Sequence, residues 1–109
     1  MNILFDQGTP VPLRRYLLEH SVTTAYEQGW SNLVNGQLLD AAELADYNLL
    51  ITTDQNLQYQ QNLGKRRIAI IVLRSTSWPR IQNHIAAICA AVEQAALGTY
   101  EEIDISFAQ

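Results

Sequence analysis

A chain of 109 residues, 48% apolar and only 17% charged, is long enough for one compact domain with one core and too short for two. The net charge of -4 argues against a binder with a basic surplus over its whole surface, although five of the seven basic residues gather in Lys65-Arg66-Arg67, Arg74 and Arg80. Cys89 stands alone and excludes an internal disulfide, no apolar run approaches the roughly 20 residues of a membrane span, and no leader-like succession opens the chain, so a cytoplasmic protein is expected.

The hydrophobic period switches repeatedly between strand and helix. Asn2 to Asp6 reads as a short buried strand, and Thr9-Pro10-Val11-Pro12 opens a helix carrying Leu13, Tyr16, Leu17 and Leu18. Val22 to Tyr26 is β-branched and aromatic, a second strand. Leu38, Leu39, Ala42 and Ala45 have helical spacing behind Asn35, a plausible N-cap. Leu49 to Thr53 is the third strand, followed by a polar helical segment from Gln55 to Leu63.

Gly64-Lys65-Arg66-Arg67 then punctuates the chain before Ile68 to Leu73, a continuous apolar run suited to a strand buried on both faces. Trp78-Pro79 begins the longest helix, whose apolar stripe is Ile81, Ile85, Ile88, Cys89 and Val92, and which Gly98 ends. Tyr100 to Ile105 alternates as an edge strand, and 106–109 reads as a flexible tail behind a single domain over 1–105. The order implies an α/β three-layer sandwich with a mostly parallel central sheet.

Chemistry in such a sheet collects where loops leave the carboxyl ends of the strands. Asp6 and Asp54 both stand there, after Ile3-Leu4-Phe5 and after Leu49 to Thr53, and two acids converging at one edge can hold a metal ion. Each also has a structural explanation, as an acid satisfied by turn amides or as a helix cap. Thr52 and Thr53 offer hydroxyls at the same strand end, or serve only as β-branched strand residues. Arg74 leaves the fourth strand on this edge, where a cation grips phosphate. Lys65-Arg66-Arg67 is either a basic rim or a solvated turn. Trp30 and Trp78 stack bases or fill the core; His20, His84 and Cys89 read as structural.

Asn2-Ile3-Leu4-Phe5-Asp6-Gln7-Gly8-Thr9-Pro10 resembles the opening of PIN-like domains, the compact ribonuclease-type domains found among toxins of toxin-antitoxin systems. Glu27-Gln28-Gly29-Trp30 is similar to the acid and glycine after that family's second strand. Asn35-Gly36-Gln37-Leu38-Leu39 falls where a helix beginning with acids is usual, and Leu50-Ile51-Thr52-Thr53-Asp54-Gln55-Asn56-Leu57 resembles the strand ending in Thr and two spaced Asp. The resemblance spans residues 2–75. It implies a PIN-like fold and a metal-dependent endoribonuclease: Asp6 and Asp54 hold Mg²⁺ or Mn²⁺, Glu27 assists catalysis, and Asn35, Gln37 and Asn56 stand near the metal. Lys65, Arg67, Arg74 and Thr53 would then contact RNA, with a cognate antitoxin or a second copy as protein partner.

The chain departs from that pattern where Gln7, Asn35, Gln37 and Asn56 replace expected acids. Amide oxygens carry no charge to attract a dication. A catalytically impaired PIN-like protein that binds RNA or a protein partner is therefore the competing expectation. A receiver-like signalling domain is a third, since its metal acid and phosphoacceptor Asp end the first and third strands; such a domain wants a Lys ending its fifth, which Asp104 and Ile105 do not supply.

Overall fold

A computed structural model of the chain describes residues 1–57 and 65–106. The strands are β1 (Asn2–Phe5), β2 (Ser21–Thr24), β3 (Leu49–Thr52), β4 (Ala69–Leu73) and β5 (Tyr100–Ile103). They form one sheet in the order β2-β1-β3-β4-β5, and every neighbouring pair is parallel. The chain steps from β1 out to β2 and then returns to the other side of β1 for β3. Strand order reverses at that point, which opens a crevice beyond the carboxyl ends of β1 and β3.

The burial of each strand follows from its place. β3 and β4 are buried at every position, and β1 at all but Asn2, because they have neighbours on both sides and cover on both faces. The outer strands β2 and β5 are only partly buried. Period-two alternation divides the apolar side chains between two cores. Ile3, Phe5, Leu49, Ile51, Ile71 and Leu73 face one way, against Leu13, Ile81, Ile88 and Val92. Leu4, Leu50, Ile70 and Val72 face the other, against Leu38, Leu39 and Ala42 of helix α1 (Asn35–Leu44). The result is the expected three-layer α/β arrangement, with a sheet parallel throughout.

Four helical expectations need correction. Pro10-Val11-Pro12 opens a 3₁₀ helix over Val11–Tyr16, not an α-helix; two prolines remove two amide donors, and although Leu13 and Leu17 are buried, Leu18 is 81% exposed. The N-cap of α1 is Val34 in extended conformation, and Asn35 is the first helical residue. The long helix from Trp78 is broken into α2 (Trp78–Ile81), a 3₁₀ turn (Gln82–His84) and α3 (Ile85–Gln94).

Ser77 caps α2 by accepting the Arg80 amide at 3.4 Å. His84, at φ -124° and ψ 21°, lies outside helical space and rephases the stripe, so Ile88 and Val92 are fully buried while Ile85 is only partly so. Gly98 does not end α3, which stops at Gln94. With φ of 77° Gly98 turns the chain into β5, donating its amide to the Arg67 carbonyl at 2.9 Å. Beyond Leu57, the helix expected over Gln55 to Leu63 lies outside the described residues, as does the tail after Ser106. Among the described residues no helix is long and apolar enough to cross a membrane.

Candidate functional site

Phe5, the last residue of β1, is paired on one side with Thr24 and on the other with Ile51. Asp6 follows directly, and its amide donates to the Ile51 carbonyl at 3.2 Å, so its carboxylate is held at the crevice between β1 and β3. Oδ1 accepts from the Gly8 amide at 3.2 Å and the Thr9 hydroxyl at 2.9 Å; Oδ2 accepts from the Thr52 hydroxyl. The Thr9 hydroxyl also lies 2.8 Å from the Ile51 carbonyl, so one proton is shared between two acceptors.

Burial raises the Asp6 pKa above its ordinary value. The hydrogen bonds from Thr52, Thr9 and Gly8 pull it back, and the charge of Asp54 pushes it up. Three donors do not replace the lost water, which leaves a negative charge incompletely compensated. Thr9, Thr24 and Thr52 are the buried polar residues of the described core, at 3%, 7% and 1% exposure, and all three stand at this edge. Buried polar capacity is thus concentrated around Asp6.

Asp54 is joined to Asp6 through Thr52, whose hydroxyl donates to Asp6 and accepts the Asp54 amide at 3.1 Å. Asp54 Oδ1 accepts the Asn56 amide at 3.0 Å in a local turn. The two loops approach closely at Gly8, where a Cβ would collide with the Thr53 hydroxyl and force that side chain to turn. That hydroxyl therefore faces the Gly8 loop, and Thr52 is the one aimed at Asp6. Strand alternation forces the division, since adjacent residues point to opposite faces.

A cleft of about 360 Å³ opens beside Asp6, lined by Gln7, Thr9, Arg14, Tyr26 and Glu27 among others. Glu27 is committed here to structure. Its Oε1 accepts the Thr24 amide at 2.9 Å, its own amide donates to the Thr24 hydroxyl at 3.0 Å, and Arg14 grips both carboxylate oxygens at 2.9 and 3.2 Å. The Thr24 amide and the Arg14 guanidinium hold its carboxyl below the usual range. Tyr26 is 77% exposed on the same wall.

The other expected site residues separate by edge. Arg74 follows β4 at the carboxyl edge, and its Nε donates to Gln55 beside Asp54 at 3.4 Å. Lys65 and Arg67 precede β4 and so lie at the opposite edge, away from Asp6 and Asp54, which corrects their grouping with the site. There the Arg67 amide donates to Glu43 at 2.6 Å while Arg66 pairs with Asp40 and Glu43. Gln37 and Asn56 are exposed and do not line the Asp6 cleft; the Asn56 backbone serves the Asp54 turn. Asn35 is at the start of α1. Trp30 packs edge-on to Tyr47 and Trp78 tilts against Tyr16, each ring pair 6.1 Å apart, and both indoles are half-buried against the core.

Two carboxylate oxygens at this edge remain open, although Asp54 is not among the residues lining the cleft beside Asp6. Asp6 Oδ1 is filled by two donors, but Oδ2 has one and retains a lone pair, and Asp54 Oδ2 makes no hydrogen bond among the described residues. Two such oxygens with waters and a substrate phosphate suffice for Mg²⁺ or Mn²⁺. A second ion would find no further free carboxylate in the cleft, since Glu27 is spent on Arg14. No protein-family model, curated protein or solved structure matches this chain.

Proposed function

We propose that this chain is a PIN-like domain whose Asp6 and Asp54 hold one Mg²⁺ or Mn²⁺ and hydrolyse RNA phosphodiesters. The observation that carries the reading is the half-buried Asp6 carboxylate, held by Thr52, Thr9 and Gly8 and linked through Thr52 to a second acid at the point where strand order reverses. When bound, such an ion supplies hydroxide near neutral pH and neutralises charge on the scissile phosphate. Thr52 orients Asp6 and fixes the loop that presents Asp54. Arg74 lies on the same edge to grip a phosphate, and the exposed ring of Tyr26 offers a stacking face for a base. In a toxin role the protein partner would be a cognate antitoxin.

A second reading, a catalytically impaired relative that binds RNA, is favoured by the pairing of Glu27 with Arg14 and by the amides at Gln37 and Asn56. The strand order also matches receiver-type sheets. Asp104 follows β5 where that chemistry wants Lys, which weighs against phosphotransfer. The deciding assay is cleavage of single-stranded RNA with Mn²⁺. The hydrolase reading expects cleavage that chelator stops and Asp6→Asn abolishes in a folded protein. An inactive native protein that still binds single-stranded RNA selects the impaired reading, and absence of Mn²⁺ binding rejects the metal site.

A further inference from the structure

We propose that Glu19, His20 and Glu93 form a second, structural metal site, selective for Zn²⁺ or a similar borderline dication, at the sheet edge opposite Asp6. His20 immediately precedes β2, and Glu93 is in the last turn of α3, which leads toward β5. Both therefore belong to the amino edge of the sheet. The site is independent of the RNA reading and uses none of its residues.

The geometry is that of a ligand set. One imidazole nitrogen and two carboxylate oxygens lie within 4.8 Å of one another. His20 Nε2 and Glu93 Oε2 are 3.3 Å apart. Two ligands on a tetrahedral ion with arms of about 2.0 to 2.1 Å are separated by about 3.3 Å, so this pair already has the required edge length. The His20 ring is only 12% exposed, which limits its freedom, while Glu93 is 64% exposed and free to adjust.

The surroundings add a cleft and a third donor type. A concavity of about 430 Å³ is lined by Glu19, His20, Glu93, Arg15 and Cys89. Cys89 stands one helical turn before Glu93 on the same face of α3, its thiol 3.6 Å from the Tyr16 carbonyl. Burial pushes that thiol up, and so do the charges of Glu93 and Glu19.

Ligand chemistry sets the selectivity. An imidazole with two carboxylates, and a thiol at the margin, suits Zn²⁺, whereas Mg²⁺ prefers oxygen alone. The other ring nitrogen, His20 Nδ1, is 3.1 Å from the Met1 amine. The bound ion clamps α3 to the start of β2, two segments 73 residues apart in the chain.

The test is calorimetric titration of the full chain with ZnCl₂, paired with thermal melts. In the Asp6→Asn chain, which removes the carboxyl-edge site, one Zn²⁺ should bind and raise the melting temperature, and Mg²⁺ in excess should not displace it. Adding Glu93→Gln, at an exposed position, or His20→Ala to that chain should weaken binding by about 10- to 100-fold or more. Failure of the Asp6→Asn chain to bind one Zn²⁺, or binding equally tight after Glu93→Gln and His20→Ala, overturns the proposal and leaves an ordinary histidine-carboxylate ion pair.

Discussion

Thr52→Val isolates the hydroxyl that joins the two acids. Valine keeps nearly the same volume, so no cavity forms at a position that is 1% exposed. What disappears is a donor to the Asp6 carboxylate and an acceptor for the Asp54 amide. A hydrogen bond to a charged group is worth about 1.5 to 3 kcal/mol, and a partly buried amide left without its acceptor adds about 1, giving a loss of about 2 to 4 kcal/mol near neutral pH. The pH dependence is the sharper part. Asp6 has a folded pKa above its ordinary 3.8, so its stability contribution is full below that value and declines as pH rises through the folded pKa. Removing the Thr52 hydrogen bond, which pulls the pKa down, raises it further and deepens that decline. Urea melts of native and variant at about pH 3.5 and about pH 7 should therefore show a deficit at least about 1 kcal/mol larger at neutral pH. Equal deficits at the two pH values, or a neutral deficit below about 1 kcal/mol, would refute a Thr52 hydroxyl bound to an ionised Asp6.

Asp6→Asn should leave the metal-free protein as stable as the native one or more stable at pH 7, because it removes a desolvated charge; a marked drop in melting temperature would show that Asp6 is structural. Ile88→Ala, at a fully buried position, should cost about 2 to 5 kcal/mol in denaturant melts, and Ile85→Ala, only partly buried, should cost clearly less. Glu43 accepts the amides of Arg67 and Ile68 and the Arg66 guanidinium, which outweigh its desolvation and hold its pKa below 4.5. Its contribution is present above 4.5 and lost as pH falls through the depressed value, so Glu43→Gln should cost about 1 to 3 kcal/mol near neutral pH and progressively less in acid.

The strands were readable because their signal is local. Ile68 to Leu73 is an unbroken apolar run of strand length, Leu49-Leu50-Ile51 runs on into two β-branched threonines, and the acids that follow β1 and β3 are placed at one edge by connectivity alone. The same connectivity, applied to Lys65 and Arg67, assigns them to the other edge; residues that precede a parallel strand cannot share the edge of residues that follow one. What the pattern concealed was tertiary. The break at His84 reflects a backbone conformation that hydrophobic spacing does not encode, and the pairing of Glu27 with Arg14 depends on the turn after β2 meeting the 3₁₀ helix. Thr9 and Thr52 were equally hidden as Asp6 ligands. Period two requires Thr52 and Thr53 to diverge, but only the register of β1 against β3 decides which of them meets Asp6.

The most direct measurement is the anomalous difference map of a crystal soaked in Mn²⁺. A single peak about 2.2 Å from carboxylate oxygens of both Asp6 and Asp54 is the predicted result, with no second ion beside Glu27. A map without density between Asp6 and Asp54, at Mn²⁺ concentrations that saturate any binding seen in solution, would contradict the metal-dependent hydrolase.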